Sequence, residues 1–178
     1  MARDIGKKHG SVISRFVIEL ENMGFVKKTF AKSAKAPKYE VVSPVAIIQF
    51  FSRIRRMSEL RFDTFEMGNN REDVKRILSN KNAIMCLPTA LEYYDQSFRD
   101  PAVHAYVQDR NILQDLINEQ VMEGKIKVIL YDYDFADEIQ IKNEIRVTSP
   151  IRTIIDMFCN ELGYAVEPLI RKIWGHGQ

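Results

Sequence analysis

The acids Asp132 and Asp134 alternate within the run Tyr131-Asp132-Tyr133-Asp134-Phe135. Alternate carboxylates on a strand can hold a Mg²⁺ ion for phosphoryl chemistry. Nucleotidyl transfer also needs a Gly-Ser turn upstream to cradle phosphate, and here Gly124 is followed by Lys125. A nuclease-like set of Asp134, Glu138 and Lys142 lacks the compact acid-x-lysine spacing. A metal-dependent nucleotidyltransferase- or nuclease-like enzyme using Asp132 and Asp134 is therefore the alternative reading. A solvated loop after a strand accounts for these acids more simply. His9, His104 and His176 have no metal-ligand spacing, and Cys86 and Cys159 form no C-x-x-C pair. The cysteines sit in apolar surroundings and read as small core residues, so neither a metal nor a cofactor is expected.

The stronger chemical signal is cationic. Cut after Met57, the chain holds 12 Lys and Arg against 4 Asp and Glu on the N-terminal side, a net of +8. The remaining 121 residues hold 14 against 20, a net of −6. A basic end of this kind suits a polyanion, and its placement on structural elements decides which one.

Those elements can be read from periodicity. Ile13, Phe16, Val17 and Leu20 recur at helical spacing, so one face of a helix over Ser11–Met23 is apolar. Ser11, Ser14, Arg15 and Glu19 occupy the opposite face, and Gly24 is a natural C-terminal stop. Ahead of it, Ala2–Lys8 reads as a short helix and His9-Gly10 as a sharp turn. After Gly24, the segments Phe25–Phe30 and Tyr39–Val42 read as two short strands with a lysine-rich tip. Ser43 caps a further helix over Pro44–Met57, whose apolar positions Val45, Ile47, Ile48, Phe50, Phe51, Ile54 and Met57 cover an unusually broad face. That face suits core packing, the second domain or a second copy of the chain.

The segments Ala2–Gly6, Ser14-Arg15 and Glu19–Val26 resemble the helix-turn-helix and first wing strand of bacterial and archaeal winged-helix regulators. The resemblance implies that the Ser11–Met23 helix enters a major groove, with Ser11, Ser14 and Arg15 near base edges or phosphates. Lys7, Lys8, Lys27, Lys28, Lys32, Lys35 and Lys38 would hold the backbone. Winged helices carry a further helix ahead of this motif that closes the small core; either this sequence starts inside a longer protein, or another segment fills the gap, with Pro44–Met57 the obvious candidate.

Beyond Met57, Ser58–Asn70 reads as a linker or docking loop. Helical patterns over Arg71–Leu78, Pro88–Asp95, Ser149–Glu161 and Val166–Trp174 alternate with strand patterns over Ala83–Leu87, Ala102–Val107, Lys125–Tyr133 and Glu138–Thr148, the last with a turn or bulge at Lys142-Asn143. A helix after Asp109, capped by that residue, ends at Gly124. The expected fold class is α+β: a winged helix-turn-helix domain over residues 1–57, then an α+β domain over 58–178 with a small sheet packed by helices. The Ser-Pro steps Val42-Ser43-Pro44-Val45 and Thr148-Ser149-Pro150-Ile151 echo each other through shared capping chemistry.

Ala90–Asp95, Val103–Val107 and Val147–Asp156 resemble the C-terminal region of AbiEi-type antitoxins, which join an N-terminal winged helix to an antitoxin domain. The resemblance implies an autorepressing antitoxin of a type IV toxin-antitoxin pair, which opposes a nucleotidyltransferase-type toxin without obligatory contact. The expected partners are thus double-stranded DNA and a second copy of the chain, with a toxin as functional counterpart. Without an apolar run of membrane length or a signal-peptide core, a cytoplasmic, non-enzymatic regulator is expected.

Overall fold

A computed structural model describes residues 10–30, 38–119, 123–134 and 137–175, with the side chains of residues 10–14 excepted. The chain is a mixed α+β protein that divides into two compact units, residues 1–50 and 51–177.

In the first unit, α1 spans Gly10–Asn22, so Gly10 opens the helix instead of belonging to the expected His9-Gly10 turn, while the expected Ala2–Lys8 helix lies outside the described residues; α1 ends as its sequence dictates. Gly24 takes φ +76°, its N–H bonds the Glu21 carbonyl at 2.9 Å, and the Phe25 N–H bonds the Leu20 carbonyl at 2.9 Å. This pair of bonds satisfies carbonyls that the helix end would otherwise strand. β1 (Val26–Thr29) and β2 (Lys38–Val41) then pair antiparallel, with Val26 opposite Val41 and Thr29 opposite Lys38. α2 (Pro44–Phe51) follows, and the Ser43 hydroxyl accepts the Ala46 N–H at 3.3 Å as an N-terminal cap. The helix stops at Phe51, well short of the expected Met57.

The core of this unit is slight. Among its described residues Val26 and Ile48 are buried, and the Phe25 and Phe50 rings meet at 5.7 Å. Val17 and Leu20 are half-buried, whereas Phe16, expected on the buried face, is 59% exposed. It lies at the margin of the apolar stripe, where no described element covers it.

The second unit contains α3 (Met57–Leu60), β3 (Arg61–Met67), α4 (Arg71–Asn80), β4 (Ile84–Met85), α5 (Leu87–Leu91) and β5 (Val103–Val107). It continues with α6 (Ile112–Asn118), β6 (Ile126–Asp132), β7 (Ile139–Lys142), β8 (Ile145–Thr148), α7 (Pro150–Cys159) and α8 (Glu167–Trp174). Its sheet is larger than expected, with six strands in the order β3-β6-β5-β4-β8-β7. β5 runs parallel to β6 and β4 parallel to β8, while β3-β6, β4-β5 and β7-β8 are antiparallel.

β5 is buried along its whole length, so its alternating side chains serve two interiors. Val103, Ala105 and Val107 join Val128 and Leu130 of β6, Val74 and Leu78 of α4, and Ile112 and Leu116 of α6 in an apolar core. His104 and Tyr106 point to the opposite face, where Tyr131 of β6 and Arg152 of α7 meet them. This second face carries a buried charge cluster.

Ser58–Asn70 is neither linker nor docking loop, because α3 and the edge strand β3 fill most of it, β3 pairing along β6. Asp109 does not cap α6; Asn111 holds that position without a side-chain cap, and Asp109 accepts the Asn111 N–H in the preceding turn. α6 ends at Asn118, short of Gly124, which instead bridges to Gly68 at the outer end of the β3-β6 ladder. The Glu138–Thr148 segment is a hairpin, turned by Asn143 and Glu144 at positive φ.

The division of the chain between Phe50 and Phe51 also moves Arg53, Arg55 and Arg56 into the second unit. Residues 1–50 then hold 9 Lys and Arg against 4 Asp and Glu, a net of +5. Among the described residues, no helix is long and apolar enough to cross a membrane.

Candidate functional site

Two sets of charged residues stand out, one exposed on the first unit and one buried in the second. Arg15 lies exposed on α1, and Lys27, Lys28 and Lys38 lie exposed on the hairpin. Strand register sorts the lysines by face. Lys27 lies opposite Glu40, and Lys38 opposite Thr29, so Lys27 and Lys38 share one side of the ribbon. Lys28 lies on the other side, where its ammonium stands 5.2 Å from the Phe30 ring centre. Glu40 tempers the charge of the first side, leaving Lys38 and Lys28 as the less compensated cations. Ser11 and Ser14 belong to α1, but their side chains lie outside the described residues, as do Lys7, Lys8, Lys32 and Lys35.

Asp132 and Asp134, the pair singled out for metal chemistry, diverge in the structure. Asp132 ends β6 and takes a bidentate grip from Arg110, with Nε at 3.0 Å and Nη2 at 2.5 Å, on the exposed surface. Asp134 lies past the strand end and receives Arg55 Nε at 2.6 Å and Arg152 Nη2 at 2.5 Å. Each carboxylate therefore already faces a guanidinium, the planar fork that matches its two oxygens. Among the described residues, no group of three His, Cys, Asp or Glu is placed to hold a metal.

The Asp134 pairing belongs to a larger buried cluster. α7 begins where the Ser149 hydroxyl accepts the Arg152 N–H at 3.2 Å, with Pro150 in its first turn. One turn on, Arg152 Nε meets Asp156 Oδ1 at 2.9 Å, and both residues are buried. Arg55 Nη1 reaches the same Asp156 oxygen at 3.0 Å, and its Nη2 donates to the Tyr106 hydroxyl at 2.8 Å. The Arg152 guanidinium also lies over the Tyr106 ring at 4.9 Å and the Tyr133 ring at 5.7 Å. Two arginines and two aspartates thus neutralise one another, and aromatic faces take up part of the cationic charge.

The two aspartates respond differently to this setting. Burial raises the Asp156 carboxyl to about 6, because the attraction of Arg152 and Arg55 only partly offsets it. Burial also pushes Asp134 upward, but the hydrogen bond and charge of Arg55, joined by Arg152, carry it below the ordinary value. Such a network resists reorganisation, since removing one member leaves an uncompensated charge inside the protein. Its chemistry is that of a clamp, with the cations already engaged.

The sequence pointed to Asp134 and to the helix holding Arg152 and Asp156, but for other reasons. Arg55 was hidden within a stretch read as helix. The only local trace of the cluster was the i,i+4 spacing of Arg152 and Asp156 inside an apolar run. His104 is buried, and its Nδ1 lies 3.1 Å from the Tyr131 hydroxyl. Cys86 and Cys159 are buried free thiols, and burial pushes Cys86 well above its ordinary range. No protein-family model, curated protein or solved structure matches this chain.

Proposed function

We propose that the protein is a sequence-specific regulator of transcription that binds double-stranded DNA through residues 1–50 as a winged helix-turn-helix. The observation that carries this reading is the exposure of Arg15, Lys27, Lys28 and Lys38 on a helix followed by a two-stranded ribbon, in a segment with 9 basic residues against 4 acidic. In this arrangement α1 lies in the major groove, with Ser11, Ser14 and Arg15 toward base edges, and the lysines hold phosphates. Lys7, Lys8, Lys32 and Lys35, which lie outside the described residues, are proposed as further phosphate contacts. A second copy of the chain reads the second half-site.

The resemblance of Ala90–Asp95, Val103–Val107 and Val147–Asp156 to AbiEi-type antitoxins supports a finer form of the proposal. The protein then acts in the cytoplasm as an autorepressing antitoxin, and the second unit, stiffened by the Arg55–Asp134–Arg152–Asp156 cluster, opposes the toxin without serving as an enzyme.

Binding of the full chain to a duplex from its own promoter, followed by fluorescence anisotropy, tests the DNA reading. The three described lysines held to phosphates, Lys27, Lys28 and Lys38, predict a slope of log K on log salt of about −2.7 per protomer. Preference for the promoter over random duplex completes the expected result; a flat salt response with no preference defeats it. The antitoxin reading is tested by rescue of growth when the chain is co-expressed with the product of a neighbouring toxin-like gene.

A further inference from the structure

The second unit contains a cavity of about 410 Å³ bordered by the start of α4, the turn after α5 and the β7-β8 hairpin. Its chemistry is unlike that of the buried clamp. Lys75 is only 2% exposed, and its ammonium lies 2.7 Å from Glu72 Oε1 and 3.1 Å from Glu92 Oε2. Arg71 Nη1 reaches the same Glu92 Oε2 at 2.5 Å. One oxygen of Glu92 therefore serves two cations, while its other oxygen, Oε1, is buried with no hydrogen-bond partner. The Tyr93 hydroxyl and Arg71 Nε are buried and unpartnered in the same way. Burial, with Glu72 and Glu92 adding to it, pushes the Tyr93 hydroxyl up to about 12, so it carries its proton at neutral pH.

Buried polar atoms left without partners weaken a fold unless something supplies the missing bonds. One acceptor and two donors without partners thus sit on residues lining a cavity of ligand size, closed to solvent as they stand, so an occupant reaches them only as those side chains turn toward it. The rim adds Arg99 and Lys142, neither of which forms an ion pair among the described residues. Arg71, Lys75, Arg99 and Lys142 stand against Glu72 and Glu92, leaving two positive charges in excess. A doubly charged anion balances that excess. Glu92 Oε1 demands an O–H or N–H donor from the occupant; hydrogen phosphate keeps a P–OH at neutral pH, whereas a polyol ester offers several hydroxyls apart from its phosphate. The lining is polar, with Tyr93 as its aromatic wall, which disfavours a lipid chain.

We infer that this cavity binds a small polyhydroxylated phosphate monoester, with the phosphate at Arg99 and Lys142 and a hydroxyl donated to Glu92 Oε1. Tyr93 and Arg71 Nε donate to the ester's remaining oxygens. This site is independent of the DNA-binding reading, because it lies wholly in the second unit and its test uses no DNA.

Isothermal titration of the full chain with glucose 6-phosphate, glycerol 3-phosphate, inorganic phosphate and glucose provides the test. At least one ester is expected to bind about tenfold more tightly than inorganic phosphate, and glucose not at all. Lys142→Ala and Arg99→Ala, both at the rim, are expected to weaken the ester about tenfold each while circular dichroism stays unchanged. Glu92→Gln is expected to erase the preference for ester over phosphate, and the rim variants carry the test alone if that protein does not fold. Absence of binding by both esters, affinity untouched by both rim substitutions, or phosphate binding as tightly as the tighter ester overturns the proposal.

Discussion

Arg152 and Asp156 face each other one helical turn apart on α7, 2.9 Å between Nε and Oδ1, with both side chains shut away from solvent. A buried ion pair adds little to stability when compared with a well-packed apolar pair, but it penalises the loss of either partner. Arg152→Ala strips Asp134 and Asp156 of a shared cation, and is expected to cost about 3–5 kcal/mol of unfolding free energy. Urea denaturation followed by tryptophan fluorescence and circular dichroism measures it; a loss below about 1 kcal/mol would show that the cluster is solvated.

The same cluster sets a pH dependence whose two parts have opposite signs. Asp156, raised to about 6 by burial, binds its proton more tightly when folded than when unfolded. Its ionisation therefore erodes stability as pH rises from the ordinary carboxylate range through about 6. Asp134, held low by Arg55 and Arg152 against its burial, contributes stability above its unfolded value and loses it as pH falls through the folded one. Asp156→Asn removes the first effect alone. The stability of the wild type minus that of Asp156→Asn should fall between pH 4.5 and 7.5, values chosen to bracket the roughly one-unit tail on either side of the titration. A difference that rises over this interval would show that the arginines outweigh burial.

Thiol chemistry reports on the same face of the sheet. Cys86 is fully buried, with its thiol held protonated first by that burial, and Cys159 is 5% exposed. Neither is expected to react with an aromatic disulfide reagent in the native protein on the minute scale, and both should react in urea. Fast native labelling of Cys86 would mean that the α7 face opens.

Much of this architecture was open to sequence reasoning where a local rule governs it. Ser43 and Ser149 each cap a helix ahead of a proline, and Gly24 ends α1 at positive φ, because these choices depend on a few adjacent residues. β3 escaped because Arg61, Asp63, Thr64 and Glu66 give an edge strand the composition of a loop. The cluster escaped for a different reason. Arg55 and Asp134 are 79 residues apart, and nothing local marks either as the other's partner. The Asp132-Asp134 alternation suggested one site, whereas Asp134 lies past the end of β6 and the two acids reach different arginines. Of the proposed DNA contacts, exposure of Arg15, Lys27, Lys28 and Lys38 is visible, and the arrangement of the three lysines on the ribbon follows from register alone.

Gly124 meets Gly68 so closely that a Cβ at position 124 would lie 2.0 Å from the Gly68 carbonyl oxygen. Backbone cannot swing aside as a side chain does, so Gly124→Ala must push the start of β6 away from the end of β3. A loss of about 1–3 kcal/mol is expected, the range for overpacking a tight site. Gly24→Ala, whose added methyl meets nothing, pays only for its positive φ. A smaller effect at position 124 than at 24 in thermal or urea unfolding would contradict the close approach.

Where the second unit begins can be decided with two fragments, 51–178 and 58–178. The longer one retains Arg55, which ties Asp134, Asp156 and Tyr106 together, and Met57, which is fully buried with its sulfur 3.5 Å from the Tyr106 hydroxyl. The shorter one leaves Asp156 with one guanidinium fewer, a defect of about 3–5 kcal/mol. It also loses a buried methionine, for about 2–5 kcal/mol more. Domains of this size have only about 5–15 kcal/mol to lose. The 51–178 fragment should therefore unfold cooperatively in urea, while 58–178 should show weak near-ultraviolet circular dichroism and a broad transition or none. Equal stability of the two would mean that Arg55 and Met57 decorate the unit rather than complete it, and the boundary would move back to Met57.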